Sequence, residues 1–332
     1  MERRGRMPED KDNVIIEADN ISVYFPVKKM LPFEKRSYVK AVDGISLMVN
    51  KGETLGVVGE SGSGKSTLGR ALLGLEPLHS GKVYLRGNDI SEIPKQELRQ
   101  LRQKVQMVFQ DPYASLDPRQ TIGDCIMEPM LAHKLFSRSE SVFRAIELLE
   151  VVGMSIQHFY RRPHEFSGGQ RQRIGVARAL ALNPEFIVCD EPVSALDVSI
   201  QASILNMLTE LQDEFDLTFM FISHDLRVVR YIADHVLVMY LGVVMEHGNT
   251  ELIYSNPLHP YTKTLISAIP EAAYGVQKDR VIIKGDIPSP VDPPKGCRLH
   301  TRCEYVMPEC REVVPKTKEL EPGHFVACHL YN

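Results

Sequence analysis

Gly59-Glu-Ser-Gly-Ser-Gly-Lys-Ser-Thr67 decides the fold. It follows an apolar run, Thr54 to Val58, and precedes a segment whose apolar residues Leu68, Ala71 and Leu72 share a helix face. Strand, glycine-rich loop and helix thus stand in the order that G-x-x-x-x-G-K-[ST] requires, from Gly59 to Ser66. Gly59, Gly62 and Gly64 let the backbone N–H groups around Ser61 and Ser63 curl about a phosphate, and the helix beginning near Thr67 adds partial positive charge. Lys65 is a point charge able to reach the β- and γ-phosphates, and the Ser66 hydroxyl is placed for Mg²⁺. A flexible Gly/Ser turn is the alternative, but it would not need Lys and Ser in register between a strand and a helix. The loop predicts a nucleoside triphosphate as ligand.

Outward from the loop, the pattern is one of strands alternating with helices. Val14 to Val27 and Tyr38 to Val49 read as strands, with the charged stretch Lys28 to Ser37 as an inserted loop. Lys82 to Arg86 and Val105 to Phe109 are further strands, and Pro94 opens a helix through Gln103. The stretch from Ile122 to about Gly153 is helical. Phe186 to Cys189 is a nearly continuous apolar strand of the kind buried on both faces. Helix, strand, helix and strand follow over Ile200 to Tyr240. The expected class is α/β with a largely parallel sheet, interrupted by an inserted helical subdomain at about 112–168.

The 332 residues suit a large core plus an appendage. A net charge of −4 supplies no basic field for nucleic acid. Residues 1–12, with Arg3, Arg4 and Arg6, read as a disordered leader without the apolar segment of a signal peptide. The longest apolar stretch, Val236 to Met245, is far below the roughly 20 residues that cross a bilayer. Membrane association would go through partners. Beyond Asn256 prolines become dense, and Cys297, Cys303, Cys310 and Cys328 gather in a tail too poor in apolar residues to form its own core.

Two acidic residues, Asp190 and Glu191, end the Phe186 strand. Asp190 would hold Mg²⁺ through its hydration shell and Glu191 would orient the attacking water, the two tasks of a hydrolytic phosphoryl-transfer site. Strand termination alone would also place acids there, but a phosphate loop in the same chain favours the catalytic reading. Phe166-Ser-Gly-Gly-Gln-Arg171 puts Ser167, Gly168, Gly169 and Gln170 at a helix N-terminus, an anion-binding arrangement that on its own could be a mere N-cap.

Together these stretches resemble the ABC-type nucleotide-binding domain, over residues 14–250. The resemblance implies that Ser167 to Gln170 are the signature loop, Gln110 the Q-loop residue and a Mg²⁺ ligand, Ser194 to Asp197 the D-loop, and His224 the switch histidine at the γ-phosphate. Phe25 aligns best with the aromatic that stacks on adenine, with Tyr24 and Tyr38 as competitors. It further implies that ATP is held between two domains, the signature serine of one touching the γ-phosphate held by the other. Binding then closes the pair and hydrolysis reopens it.

The runs Val108 to Pro118, Cys189 to Ile200 and Asn256-Pro-Leu-His-Pro-Tyr-Thr262 narrow the likeness to ATP-binding subunits of bacterial and archaeal oligopeptide/dipeptide importers, F type. This implies a cassette over 13–255 and a C-terminal extension over 256–332. It also implies a second ATP-binding subunit (a paralogue or a second copy), integral membrane permease subunits docking near Gln110, and an extracytoplasmic solute-binding protein. The chain would sit peripherally on the cytoplasmic membrane face. The tail spacing C-x5-C-x6-C-x17-C lacks the C-x2–4-C pairs usual for structural zinc. Four thiolates fit a [4Fe–4S] cluster, which some members of the resembled family carry; zinc, disulfides and unpaired thiols are the alternatives. A DNA-maintenance ABC protein would need a long coiled-coil insertion, a translation-associated one two phosphate loops, and a P-loop kinase would leave the signature loop unexplained.

Overall fold

The computed structural model describes residues 13–27, 36–90, 93–269, 283 and 285–331. The proposed leader and most of the Lys28 to Ser37 insertion lie outside them. The chain forms two compact units, one from Met1–Glu92 with Ser223–Asn332 and the other from Ile93–Ile222.

The first unit opens with β1 (Val14–Pro26) and β2 (Tyr38–Asn50), an antiparallel pair. Then come the fully buried β3 (Thr54–Val58), helix α1 (Lys65–Leu72), β4 (Ser80–Leu85) and β5 (Asn88–Asp89). Strands β2, β1, β4 and β5, in that order, build one antiparallel sheet. Ile16, Ile21, Val42 and Val83 point into its core at 0% exposure. Along β4 buried and half-buried residues alternate, as in a sheet with one covered face, whereas the register shifts of β1 bury neighbours such as Ile15 and Ile16 together.

The second unit begins with α2 (Lys95–Lys104) and β6 (Val105–Val108). A helical stretch follows: α3 (Pro112–Ser115), α4 (Ile122–Ala132), α5 (Arg138–Val151) and α6 (Gly168–Leu180). The apolar pattern from Ile122 to Gly153 is therefore two helices. They are parted where Lys134 turns left-handed, at φ 56°, and Ser137 caps α5 through a reciprocal bond with Glu140. The unit ends with β7 (Phe186–Asp190), α7 (Val198–Phe215) and β8 (Thr218–Ile222). Strands β6, β7 and β8 pair in parallel with every residue of β7 and β8 buried.

Back in the first unit, α8 (Leu226–Ile232) leads to β9 (His235–Tyr240), which runs parallel to β3. A strand that the sequence pattern does not announce, β10 (Val243–Asn249), turns back antiparallel on β9. Leu241 and Gly242 both have positive φ, 44° and 81°, the signature of a tight two-residue hairpin. The apolar run Val236 to Met245 is thus a hairpin, and its uniform hydrophobicity hides the turn.

Helices α9 (Thr250–Ser255), α10 (Pro260–Ser267) and α11 (Pro308–Glu312) precede a last hairpin, β11 (Lys318–Glu321) and β12 (His324–Val326). Strand β12 pairs antiparallel with β10. The sheet of this unit is therefore only partly parallel: β9–β10 and β11–β12 are antiparallel hairpins, and β12 returns antiparallel to β10 from far along the chain.

The tail solves its lack of a core by borrowing one. Leu258, Val326 and Cys328 cluster, with Tyr331 packed against them and its hydroxyl donating to the Leu258 carbonyl at 2.9 Å. Beneath them the buried Glu246 carboxylate accepts from Leu258 N–H at 2.8 Å, His259 N–H at 2.7 Å and His324 Nε2 at 2.8 Å.

His259 caps α10, its Nδ1 accepting from Tyr261 N–H at 3.0 Å. Burial pushes its imidazole down to about 4, against about 6.5 for a free histidine. Stability from keeping this ring neutral is complete above about pH 6.5 and is lost as pH falls toward 4, because the unfolded chain takes up the proton first. His259→Asn keeps a cap acceptor and removes the titration. Urea unfolding at pH 7 and pH 4.5 should show wild type losing up to about 3 kcal/mol more than the variant.

Candidate functional site

Strand β3 delivers the chain to Gly59, and α1 starts at Lys65 with Gly64 as its N-cap. Gly64 holds φ at 101°, and a Cβ there would stand 2.0 Å from the Ala41 carbonyl oxygen. Only glycine meets both demands. Within the loop Ser63 N–H donates to the Glu60 carbonyl at 3.1 Å, and the Ser63 carbonyl accepts from Gly242 N–H at 2.9 Å. The β9–β10 hairpin tip therefore supports the loop. Lys65 is buried and donates to the carbonyls of Gly59 at 2.8 Å and Glu60 at 3.0 Å. Ser61 is exposed at the loop crest, while Ser66 and Thr67 are half-buried at the helix start.

His224 joins this loop in the same unit. Ser223 N–H donates to the Val57 carbonyl at 3.1 Å, which sets the exposed His224 beside the end of β3 from which the loop departs. Of the three candidate aromatics, Tyr24 is already engaged. Its ring stacks on His79 at 4.4 Å and its hydroxyl donates to Asp43. Phe25 follows Tyr24 directly and so projects to the other face of β1, half-buried and paired with Val39 of β2.

The second unit gathers the remaining candidates. Asp190 ends β7 at 1% exposure. Glu191 follows in a left-handed conformation, φ 45°, fixed by its N–H on the Ile222 carbonyl at 3.0 Å. A non-glycine residue held there is strained, and such strain collects at functional sites. The Glu191 carboxylate accepts from Gln110 Nε2 at 3.1 Å, so the residue expected in the Q-loop and the acid expected to orient water touch. Ser167 caps α6 reciprocally with Gln170, bonding at 3.4 Å and 3.0 Å, and remains exposed. A Cβ on Gly169 would lie 2.5 Å from Ile200 Cγ2, so the signature turn packs directly on α7. Asp197 is the N-cap residue of α7.

Two contacts, one in each unit, escape a reading of the sequence. The buried Arg171 lays its guanidinium over the Tyr113 ring at 3.6 Å, tying the signature helix to the segment after Gln110. Glu60 of the phosphate loop is held by Tyr261 and Arg302 from far along the chain. Neither pair has a spacing signal, because each joins residues distant in sequence.

All six cysteines are free. Cys125 and Cys189 are buried, and burial pushes the Cys125 thiol up to about 11 and Cys189 higher still, leaving both unreactive. Cys297 is also pushed up to about 11, first by burial and then by Cys310, Cys328 and Cys303. The four tail thiols therefore sense one another. However, among the described residues no group of three or more His, Cys, Asp or Glu side chains is gathered to hold a metal ion. The expectation of a metal centre on Cys297, Cys303, Cys310 and Cys328 thus meets no assembled ligand set.

A phosphate-cradling loop after a buried strand, paired carboxylates ending another, and a Ser-Gly-Gly helix start define the ATP-binding cassette class of P-loop ATPase. Residues 42–194 match the ABC transporter family model, and residues 245–310 match the oligopeptide/dipeptide transporter C-terminal region. The chain is 51% identical to the oligopeptide transport ATP-binding protein AppF of Bacillus subtilis, over 98% of this chain and 100% of that protein. It is 47% identical to the dipeptide transport ATP-binding protein DppF of Haemophilus influenzae, over 96% and 98%. Among solved structures, a dimeric ATP-binding cassette in a post-hydrolysis state, bound to ADP and Pi, is similar with a TM-score of 0.63 and 29% identity, over 71% of this chain and 99% of that one. The chain belongs to the ABC transporter ATP-binding proteins that carry the oligopeptide/dipeptide-type C-terminal region.

Proposed function

We propose that this protein is the ATP-hydrolysing subunit of an importer for peptides or a related small solute, working peripherally at the cytoplasmic membrane face. One observation carries the transport reading: residues 245–310 match the oligopeptide/dipeptide transporter C-terminal region, and the chain beyond them adds β12 to the sheet that bears the phosphate loop. Among the described residues no helix is long and apolar enough to cross a membrane, and in this proposal permease subunits provide the path across it.

In this proposal the cassette spans 13–255 and the extension 256–332. Lys65 and the N–H groups from Gly59 to Thr67 hold the phosphates, while Ser66, Gln110 and Asp190 serve Mg²⁺. Phe25 stacks on adenine, since Tyr24 is committed elsewhere. Glu191 orients the attacking water and His224 meets the γ-phosphate. Ser167, Gly168, Gly169 and Gln170, with Asp197, complete the γ-phosphate site of a second ATP-binding subunit. The terminal phosphate is then satisfied only in a closed pair, and that differential affinity drives closure.

Reconstitution with permease subunits and solute-binding protein tests the reading. ATP-dependent uptake of labelled di- and oligopeptides is expected, and a chain that neither co-purifies with permease subunits nor supports uptake overturns it.

For the tail we infer a [4Fe–4S] cluster held by Cys297, Cys303, Cys310 and Cys328, with Zn²⁺ as the alternative. A single zinc would draw four sulfurs to about 3.8 Å of one another on Zn–S bonds of about 2.3 Å. The tail spacing C-x5-C-x6-C-x17-C lacks the C-x2–4-C pairs usual for such zinc sites, and this supports the larger cluster. Bound there, the cluster would supply a cross-link for the proline-rich extension. Anaerobic purification should give a brown protein with about four irons per chain. A colourless, iron-free sample overturns it.

A further inference from the structure

Glu60 is an unusual neighbour for a triphosphate. It is the second residue of the phosphate loop, and its carboxylate carries the same sign of charge as the ligand. The structure neutralises it from the tail. Arg302 donates from Nη1 to Glu60 Oε2 at 2.9 Å and from Nη2 to Oε1 at 3.4 Å. The Arg302 side chain is 9% exposed and that of Glu60 27%, so this forked, charge-assisted pair is screened less than a fully exposed surface ion pair. Arg302 also reaches the Tyr240 hydroxyl at 3.3 Å and the Gly285 carbonyl at 3.2 Å. Tyr261, fully buried, accepts the Glu60 N–H at 2.9 Å. Both ends of Glu60 are therefore held from beyond residue 256.

A second arginine in the same short segment reaches the loop from another side. Arg298 pairs with Asp43, whose N–H donates to the Gly242 carbonyl at 2.8 Å. Gly242 N–H in turn donates to the Ser63 carbonyl at 2.9 Å. Pro290 adds a backbone bond, its carbonyl accepting from Lys40 N–H at 3.0 Å. Thus Arg298 and Arg302, the two arginines between Cys297 and Cys303, bear on the two ends of the turn from Glu60 to Ser63.

We propose that the tail segment 297–303 is a positioning element for the phosphate loop, with Arg302 cancelling the charge of Glu60 and, with Tyr261, fixing the loop in its phosphate-accepting shape. This rests on the reading of Gly59 to Thr67 as the ATP phosphate site. The oligopeptide/dipeptide-type extension then does more than complete the sheet, because it sets the affinity for ATP.

The test is equilibrium binding of Mg·ATP to the full-length chain, together with steady-state hydrolysis in the assembled transporter. R302M should weaken ATP binding roughly five- to tenfold and raise KM for ATP in parallel, while kcat at saturating ATP stays within about twofold. The defect should shrink as salt rises, because an unmasked charge is screened. E60Q placed on R302M should recover most of the lost affinity, since the repelling carboxylate is then gone. A purely structural role for Arg302 gives no such rescue. Unchanged ATP affinity in R302M, or an R302M/E60Q protein as weak as R302M, overturns the proposal. Should R302M fail to fold, Y261F keeps it open to refutation: it deletes only the acceptor of the Glu60 N–H and should weaken ATP roughly two- to threefold, an unchanged value counting against it. Wild-type protein that binds no ATP at all refutes the nucleotide-site reading instead, so the two failures are distinguishable.

Discussion

Glu191→Gln is expected to lower ATP turnover in the assembled transporter by about 10²–10⁴-fold while leaving ATP affinity within a few-fold of wild type. Removing a positioned group that handles a proton in the transition state costs about that much. The carboxamide preserves the surroundings: Gln110 Nε2, now 3.1 Å from Glu191 Oε2, can donate equally well to an amide oxygen. The left-handed backbone at residue 191 is fixed by the N–H bond to Ile222 and not by the side chain, so the position of the group is retained. The variant should therefore bind ATP, close with a second ATP-binding subunit and remain closed, because the γ-phosphate bridging the pair is never removed. Size-exclusion chromatography with ATP should show the associated form persisting in the variant and decaying in wild type. Turnover near the wild-type rate, with partner subunits present, would remove Glu191 from the chemistry.

What could be read in the sequence follows from how local each feature is. The phosphate loop, the Asp190–Glu191 strand end and the Ser167 turn are each set by residues adjacent in the chain, and the structure builds each of them on the expected strand or helix start. The β9–β10 hairpin was not legible, because Leu241 takes a conformation usually left to glycine or asparagine, and its apolar neighbours continue one hydrophobic run across the turn. Strand β12 was invisible for a different reason. His324, Phe325 and Val326 make a strand too short to show a period, and it exists because β10 offers an edge and Glu246 a buried acceptor for His324. The proposal of Phe25 as the adenine aromatic draws on three dimensions as well. Tyr24 and Phe25 are adjacent aromatics, and only the His79 stack and the Asp43 bond set them apart. Arg302 and Tyr261 reach Glu60 across 242 and 201 residues of chain, a separation at which no motif operates.

Lys65→Ala should abolish nucleotide binding in practical terms, with ATP affinity falling by about 10²–10³-fold. An ammonium about 4 Å from a phosphate charge, in surroundings of effective dielectric near 20, contributes on the order of 4 kcal/mol, and each 1.4 kcal/mol is tenfold in affinity. That magnitude suits this lysine because it is 5% exposed and little screened. Its partners include the Gly59 and Glu60 carbonyls, so the ammonium already lies inside the curve of the loop it would share with phosphate. Deleting it leaves those carbonyls one donor short, a loss of about 1 kcal/mol that a thermal melt without nucleotide would register as a modest shift. The large effect must therefore appear in ATP binding and not in folding. Lys65→Arg should fail nearly as badly, because a planar guanidinium cannot replace a compact ammonium among loop carbonyls. The decisive comparison combines the two substitutions: Lys65→Ala on Glu191→Gln should no longer hold a closed pair at ATP concentrations that saturate Glu191→Gln alone. Closure in that double variant, or ATP affinity within about threefold of wild type in the single one, would mean that the terminal phosphate is not what binds the two subunits together.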